Sequence, residues 1–232
     1  MRLLPILACA ALFLTGALLA AQPLPYHLMS PSDRALAQDI VRRADFQFST
    51  RTPPKKVRMA TMEKLFDHPR VGMAMWRVCQ FVPPFYASIH PDGSWSLVDG
   101  MGLHGHLRLI HQRPGWRIYL VEGWAEKGRL KHVPMAVKAR MLTSYRYWEG
   151  KDGFESQLET WTALDSALLG FLSKPFHGYI HRRQDEFIAY INSNIATFGE
   201  FADLNPSDFE APLKQDGDAE ALRDYNALFG RK

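Results

Sequence analysis

Cysteine is nearly absent from this chain: Cys9 and Cys79 are its only two occurrences in 232 residues. One of them sits inside an N-terminal apolar run, so neither a disulfide framework nor a four-thiolate metal site can form, and a packed core must hold the fold. HExxH, paired-cysteine, GxSxG, GxGxxG and phosphate-loop patterns are missing too. The chain therefore carries no sequence sign of an activated nucleophile, and no metal or nucleotide cofactor is expected. No Lys/Arg tract interleaved with aromatics occurs, which argues against nucleic acid as a partner. Charge of one sign is also scarce. Lys and Arg number 28 against 24 Asp and Glu, and the small basic excess is spread along the chain, leaving an anionic membrane surface as a candidate contact.

A long hydrophobic run occurs only at the start, in MRLLPILACAALFLTGALLAAQPLPY. A single Arg, a Leu/Ala-rich stretch and the small residues Ala20 and Ala21 before Gln22 follow the layout of a secretory signal peptide spanning 1–21. Cys9 comes too early for a lipoprotein site, because most of the apolar run follows it. The run is short for a membrane span, so an uncleaved anchor is the alternative reading. Cleavage would place the mature chain in the periplasm or outside the cell with Cys79 as its lone thiol. Apolar residues make up 47% of the sequence, and roughly 210 remaining residues suffice for one domain with its own core.

Beyond the signal, residues 22–45 read as a spacer and a short amphipathic helix, with Ser32 as a cap and Leu36, Ile40 and Val41 on one face. FQFS at 46–49 reads as a strand. Thr52-Pro53-Pro54 signals a helix start, and Asp67-His68-Pro69 breaks that helix before a second piece carrying Met73, Met75 and Trp76. From about 78 to 164 turn signals recur (HPDG, DGMG, QRPG, EKG, EGKDG) between β-rich segments, which predicts an antiparallel meander. In HVPMAVKARMLTSYRYW, alternation sets Met135, Val137, Met141 and Tyr145 on one face and Lys138, Arg140, Ser144 and Arg146 on the other. WRIYLVEG and FESQLETWTA repeat the pattern more weakly. From about 174 to 202, Ile180, Phe187, Ile191, Ile195 and Phe198 form one helical stripe that needs the sheet as cover. Residues 203–232 turn polar and read as a loosely held tail with a short helix near 219–228.

This order of elements resembles the START-like, or helix-grip, superfamily, which includes polyketide cyclase/dehydrase-like and coenzyme-Q-binding relatives. The resemblance is carried by TPPKKVRMATMEKLFDHPRVGMAMW, GWRIYLVEGWAEKGRLKHVPMAVKARMLTSYRYW and LGFLSKPFHGYIHRRQDEFIAYINSNI, within a domain spanning 46–202. It implies an α+β fold in which a curved antiparallel sheet wraps a long C-terminal helix over an apolar cavity. A hydrophobic small molecule (lipid, sterol-like or quinone-like) would be the partner, and binding is favoured over catalysis.

Candidate ligand-contacting residues follow. Ile118, Leu120 and Glu122 alternate in WRIYLVEGW, which aims Glu122 toward the apolar side unless it reaches solvent at the strand end. Met135, Val137, Met141, Tyr145 and Leu158 would line the concave sheet face. His177, Ile180, Gln184 and Phe187 would contribute from the helix, with His177 and Gln184 at its rim. His177 and His181 are spaced for metal ligation, and GLHGHL offers His104 and His106, but two pairs without an acidic cluster do not define a site. A cyclase- or hydrolase-like use of the same cavity, with Glu122, Tyr145 and a histidine as acid and base, is the enzymatic alternative. A cavity filled by its own side chains would instead make the domain an interaction module.

Overall fold

The computed structural model describes residues 23–100, 102–126, 137–165 and 177–230; the side chains of residue 137 and of 177–181, 183 and 184 lie outside that description. Residues 1–21, which the sequence reads as a signal segment, and Met135 fall outside it as well.

Pro31–Arg43 forms α1. Ser30, not Ser32, caps it: its Oγ accepts from the Asp33 amide at 3.2 Å, and Pro31 takes the first helical position, where a missing N–H costs nothing. Phe46–Arg51 is β1, followed by α2 (Met59–Asp67) and α3 (Pro69–Val78), with the break falling at His68 as the sequence predicts. Five antiparallel strands come next: β2 (Tyr86–Ile89), β3 (Trp95–Val98), β4 (Leu103–Arg113), β5 (Trp116–Ala125) and β6 (Val137–Gly150). The strand β7 (Gly153–Leu164) precedes the long α4 (His177–Leu204). Two short helices end the chain, α5 (Glu210–Asp216) and α6 (Ala219–Phe229).

The seven strands form one sheet in the order β1-β7-β6-β5-β4-β3-β2, with every neighbour antiparallel and both edges open. The α2–α3 pair carries the chain from one edge strand to the other. Helix α4 lies against the inner face, so the architecture is α+β and helix-grip. Asn192, fully buried on α4, pins the helix: its Oδ1 accepts from Ser156 Oγ at 2.8 Å, and its Nδ2 donates to the Thr50 carbonyl at 3.3 Å. Gly199 lets α2 approach α4 closely, since a Cβ there would overlap Met62 Sδ.

The sheet is covered on both faces. On the outer face, Ala37 and Ile40 of α1 pack on Trp116, Ile118, Leu120, Leu142 and Trp161. Polar groups enter that core beside Trp116: its Nε1 donates to Ser144 Oγ at 2.9 Å, and Arg146, over the indole ring, donates to Glu159 Oε2 at 3.1 Å. The helix read from the sequence as part of a spacer is thus one layer of the fold.

The polar tail likewise packs. Phe209, Leu213, Ala221 and Tyr225 are buried with α3, and Arg77 of α3 donates through Nε to Asp216 Oδ1 at 2.9 Å. The expectation of a loose tail fails because its few apolar residues fall on one face of each short helix, hidden among charges in the linear sequence. The predicted helix near 219–228 corresponds to α6.

Candidate functional site

Side chains from β3 to β7 alternate, and their inner set faces α3 and α4 without filling the space between. The result is a cavity with a larger lobe of about 400 Å3 and a smaller one of about 190 Å3. Leu97, Leu107, Tyr119, Thr143 and Leu158 of the sheet wall both lobes, opposite Ile191 and Ile195 of α4. The larger lobe reaches solvent between Val98, Leu103 and Phe187, which are 37%, 42% and 42% exposed. A space of this size falls at the lower end of small-molecule pockets, roughly 300–1,000 Å3.

The sequence-predicted residues divide by strand. Met141, Tyr145 and Leu158 lie in the cavity wall, and Phe187 lies at its mouth. Ile118 and Leu120 do not: both are buried on the outer face under α1. The period-two rule is correct on β5, but the opposite set, Tyr119 and Val121, is also apolar, so alternation could not choose the face. Assuming a single apolar face led to the wrong one. Glu122 shares the outer face and is exposed, beyond the reach of α1, with His106 and Arg140 as its cross-strand neighbours. It is neither a buried carboxylate nor a cavity group. Val137, His177, Ile180 and Gln184 are placed only by backbone, on β6 and the first turns of α4.

His104 and His106 project from the outer face. His104 stacks on Trp124 with centroids 5.2 Å apart and meets Glu126 Oε1 at 2.9 Å; His106 Nε2 meets Ser94 Oγ at 3.0 Å. Among the described residues, no group of three or more His, Cys, Asp or Glu could hold a metal ion. Cys79 is half-buried, and burial pushes its thiol up to about 11, so it is not an activated nucleophile.

A buried charge of the inner face, absent from the sequence-based candidates, is Arg117, 1% exposed and packed over Phe66 of the smaller lobe. Its Nη2 donates to Glu63 Oε2 at 2.6 Å and to Asp67 Oδ1 at 2.8 Å, and its Nε donates to Tyr147 Oη at 3.2 Å. Tyr147 in turn donates to Glu63 Oε1 at 2.8 Å, and Phe66 lies under the guanidinium at 5.3 Å. Desolvation opposes the cation, but these hydrogen bonds outweigh it and hold Arg117 firmly charged. Burial pushes the Tyr147 phenol up, and that of Tyr119 up to about 12. Both stay neutral donors at physiological pH. The network ties α2 to β5 and β6.

Two hydroxyls of the inner face, those of Thr143 and Thr160, are buried without a hydrogen-bond partner. The Tyr145 hydroxyl is buried beside Ser156, whose Oγ donates to Asn192, meets Thr52 and keeps a lone pair for the phenol. Burial pushes the Tyr145 phenol up strongly. Among the described residues, no carboxylate stands where it could act as a base beside Tyr145: Asp99, which lines the mouth, accepts the Leu103 amide at 2.9 Å, and Glu63 and Asp67 are bound to Arg117.

No protein-family model matches the chain, and no curated protein is significantly similar to it. Among solved structures, an uncharacterized protein from Rhizobium leguminosarum superposes with a TM-score of 0.42 at 14% identity, covering 67% of this chain and 94% of the other. DynU16, from the dynemicin biosynthetic locus, superposes with a TM-score of 0.33 at 11% identity, covering 62% of this chain and 45% of its own. Both are too distant to bear on function. The architecture rests on the strand order and register above.

Proposed function

We propose that the chain is a START-like protein, exported after loss of residues 1–21, that binds a hydrophobic small molecule between its sheet and α4. One observation carries this reading: a largely apolar cavity of about 400 Å3 lies beneath α4 and opens at Phe187. Folded interiors are packed like organic crystals, so an unfilled apolar space of this size under α4 favours an occupant. Binding would sequester apolar ligand area from water, at about 25 cal/mol per Å2 removed. Exit would require displacement of the mouth around Phe187 and Leu103. The enzymatic alternative loses its acid–base group, because Glu122 is exposed on the opposite face.

Native mass spectrometry of the mature chain from its own host's envelope, followed by organic extraction, tests the proposal. A stoichiometric apolar compound is the expected result. A ligand-free mass, together with failure to take up any apolar probe, would reject the carrier reading.

A further inference from the structure

We propose that the ligand is an uncharged molecule presenting one buried oxygen, carbonyl or hydroxyl, to the cross-strand pair Thr143 and Thr160. This inference deepens the hydrophobic-ligand reading and rests on it.

Thr143 and Thr160 are direct cross-strand partners on β6 and β7, which sets their Cβ atoms about 5 Å apart. Thr160 is 1% exposed, and neither threonine hydroxyl has a partner. Other buried hydroxyls of this fold are paired: Ser156 with Asn192, Ser144 with Trp116, Thr61 with Asp203 and Tyr147 with Glu63. A buried hydroxyl without a partner is unfavourable, so two together on a cavity wall ask for a partner that arrives with the ligand. One χ1 step carries the hydroxyl of either threonine to another staggered position, turning a donor into the lumen without moving the strand.

Charge decides what kind of oxygen can sit there. Arg117 is already bound by two carboxylates, and Asp99, the acidic side chain among the described lining residues, belongs to the mouth. His104 borders the mouth too, but its ring turns to the outer face, where it stacks on Trp124 and meets Glu126. An ionised carboxylate or phosphate at the threonine pair would lack a counter-cation, and burying it uncompensated is prohibitive. A neutral oxygen needs only the hydroxyls present.

The test is competition against an environment-sensitive fluorophore bound to the full mature chain, using dodecane, 2-dodecanone, dodecanol and dodecanoate. At neutral pH the ketone and alcohol should compete about tenfold better than dodecane, the value of one well-made hydrogen bond, and better than dodecanoate. Dodecanoate should gain as pH falls and it becomes neutral. Thr143→Val and Thr160→Val keep side-chain shape; each should reduce the preference for ketone over dodecane while leaving dodecane affinity and melting temperature near wild type. Equal competition by ketone and dodecane, an unchanged preference in both valine variants, or dodecanoate as the best competitor at neutral pH would overturn the inference and leave the carrier reading standing. Failure of all four probes to displace the fluorophore would overturn both.

Discussion

The two faces of the sheet are built from the same strands and are treated oppositely. On the outer face, α1 lays Ala37 and Ile40 directly onto Ile118, Leu142 and Trp161, and the side chains meet without a gap. On the inner face, α4 is held by Asn192 near the middle of its length and spans the cavity beyond it. Hydrophobicity alone does not separate these outcomes, since Tyr119, Val121 and Met141 are as apolar as their outward neighbours. The difference lies in the cover. A short helix with small residues settles onto the strands, whereas the long helix, tied to β1 and β7 through Asn192, leaves the space over the neighbouring strands unfilled.

Neighbouring residues on β6 test this contrast most sharply. Leu142 is fully buried on the outer face, and Met141 points into the cavity. Leu142→Ala should cost about 3–5 kcal/mol, the upper part of the range for core truncation. Met141→Ala should cost about 1 kcal/mol, because its side chain already borders empty space and fewer packed atoms are lost. Urea denaturation of both variants measures the difference. Equal losses would mean that the inner face is as closely packed as the outer one.

Arg117 limits the comparison, because the inner face is not loose everywhere. Arg117→Met should destabilise the fold by about 2–3 kcal/mol: Glu63 and the Tyr147 hydroxyl lose their shared partner, although partial exposure of both carboxylates lets water soften the loss. The double variant with Glu63→Gln should recover part of it. Without recovery, Arg117 would be stabilising by packing on Phe66 rather than by charge.

Filling the cavity should matter less to stability than to binding. Val121→Phe adds volume where the inner face has room, and its stability should stay within about 1 kcal/mol of wild type while probe uptake falls. Leu120→Phe, one residue away under α1, should cost about 1–3 kcal/mol by overpacking. Destabilisation by Val121→Phe equal to that by Leu120→Phe would abolish the distinction between the faces.

Much of this arrangement was legible in the sequence, and the failures share a cause. The alternation on β6 correctly separated Met141 and Tyr145 from Ser144 and Arg146, because one set there is polar. The stripe Ile191, Ile195 and Phe198 correctly marked the buried side of α4. On β5 both alternating sets are apolar, so Ile118 and Leu120 were assigned to the wrong face, and Glu122 with them. The outer cover α1 was the missing information, and no local pattern reveals what a helix packs on. Arg117 went unnoticed for the same reason. Its carboxylates come from α2, where Asp67 reads as part of a helix-breaking turn. The tail was misjudged because four buried residues, Phe209 and three more spread over two short helices, barely alter a polar composition.

The smallest expected effect concerns how α4 holds α2, and it is a pH effect. Helix α2 has no side-chain cap of its own; Asp203 of α4 takes that role, its Oδ2 accepting the Arg58 amide at 2.9 Å and its Oδ1 accepting from Thr61 Oγ1 at 2.6 Å. Burial raises the Asp203 carboxyl, but hydrogen bonds from Arg58 and Thr61 outweigh it and hold the group below the usual aspartate value. A depressed native pKa means that the unfolded chain takes up the proton first as pH falls. The contribution of Asp203 is therefore complete above the unfolded value of about 3.9 and is lost as pH drops through the lower native one. Stability measured from pH 6 to pH 2 should decline at the acid end, and Asp203→Asn should start slightly lower and decline less steeply. If the two acid branches run parallel, α2 is held by its apolar contacts with α4, and the packing of Met62 against Gly199 rather than the Asp203 cap fixes the inner wall of the cavity.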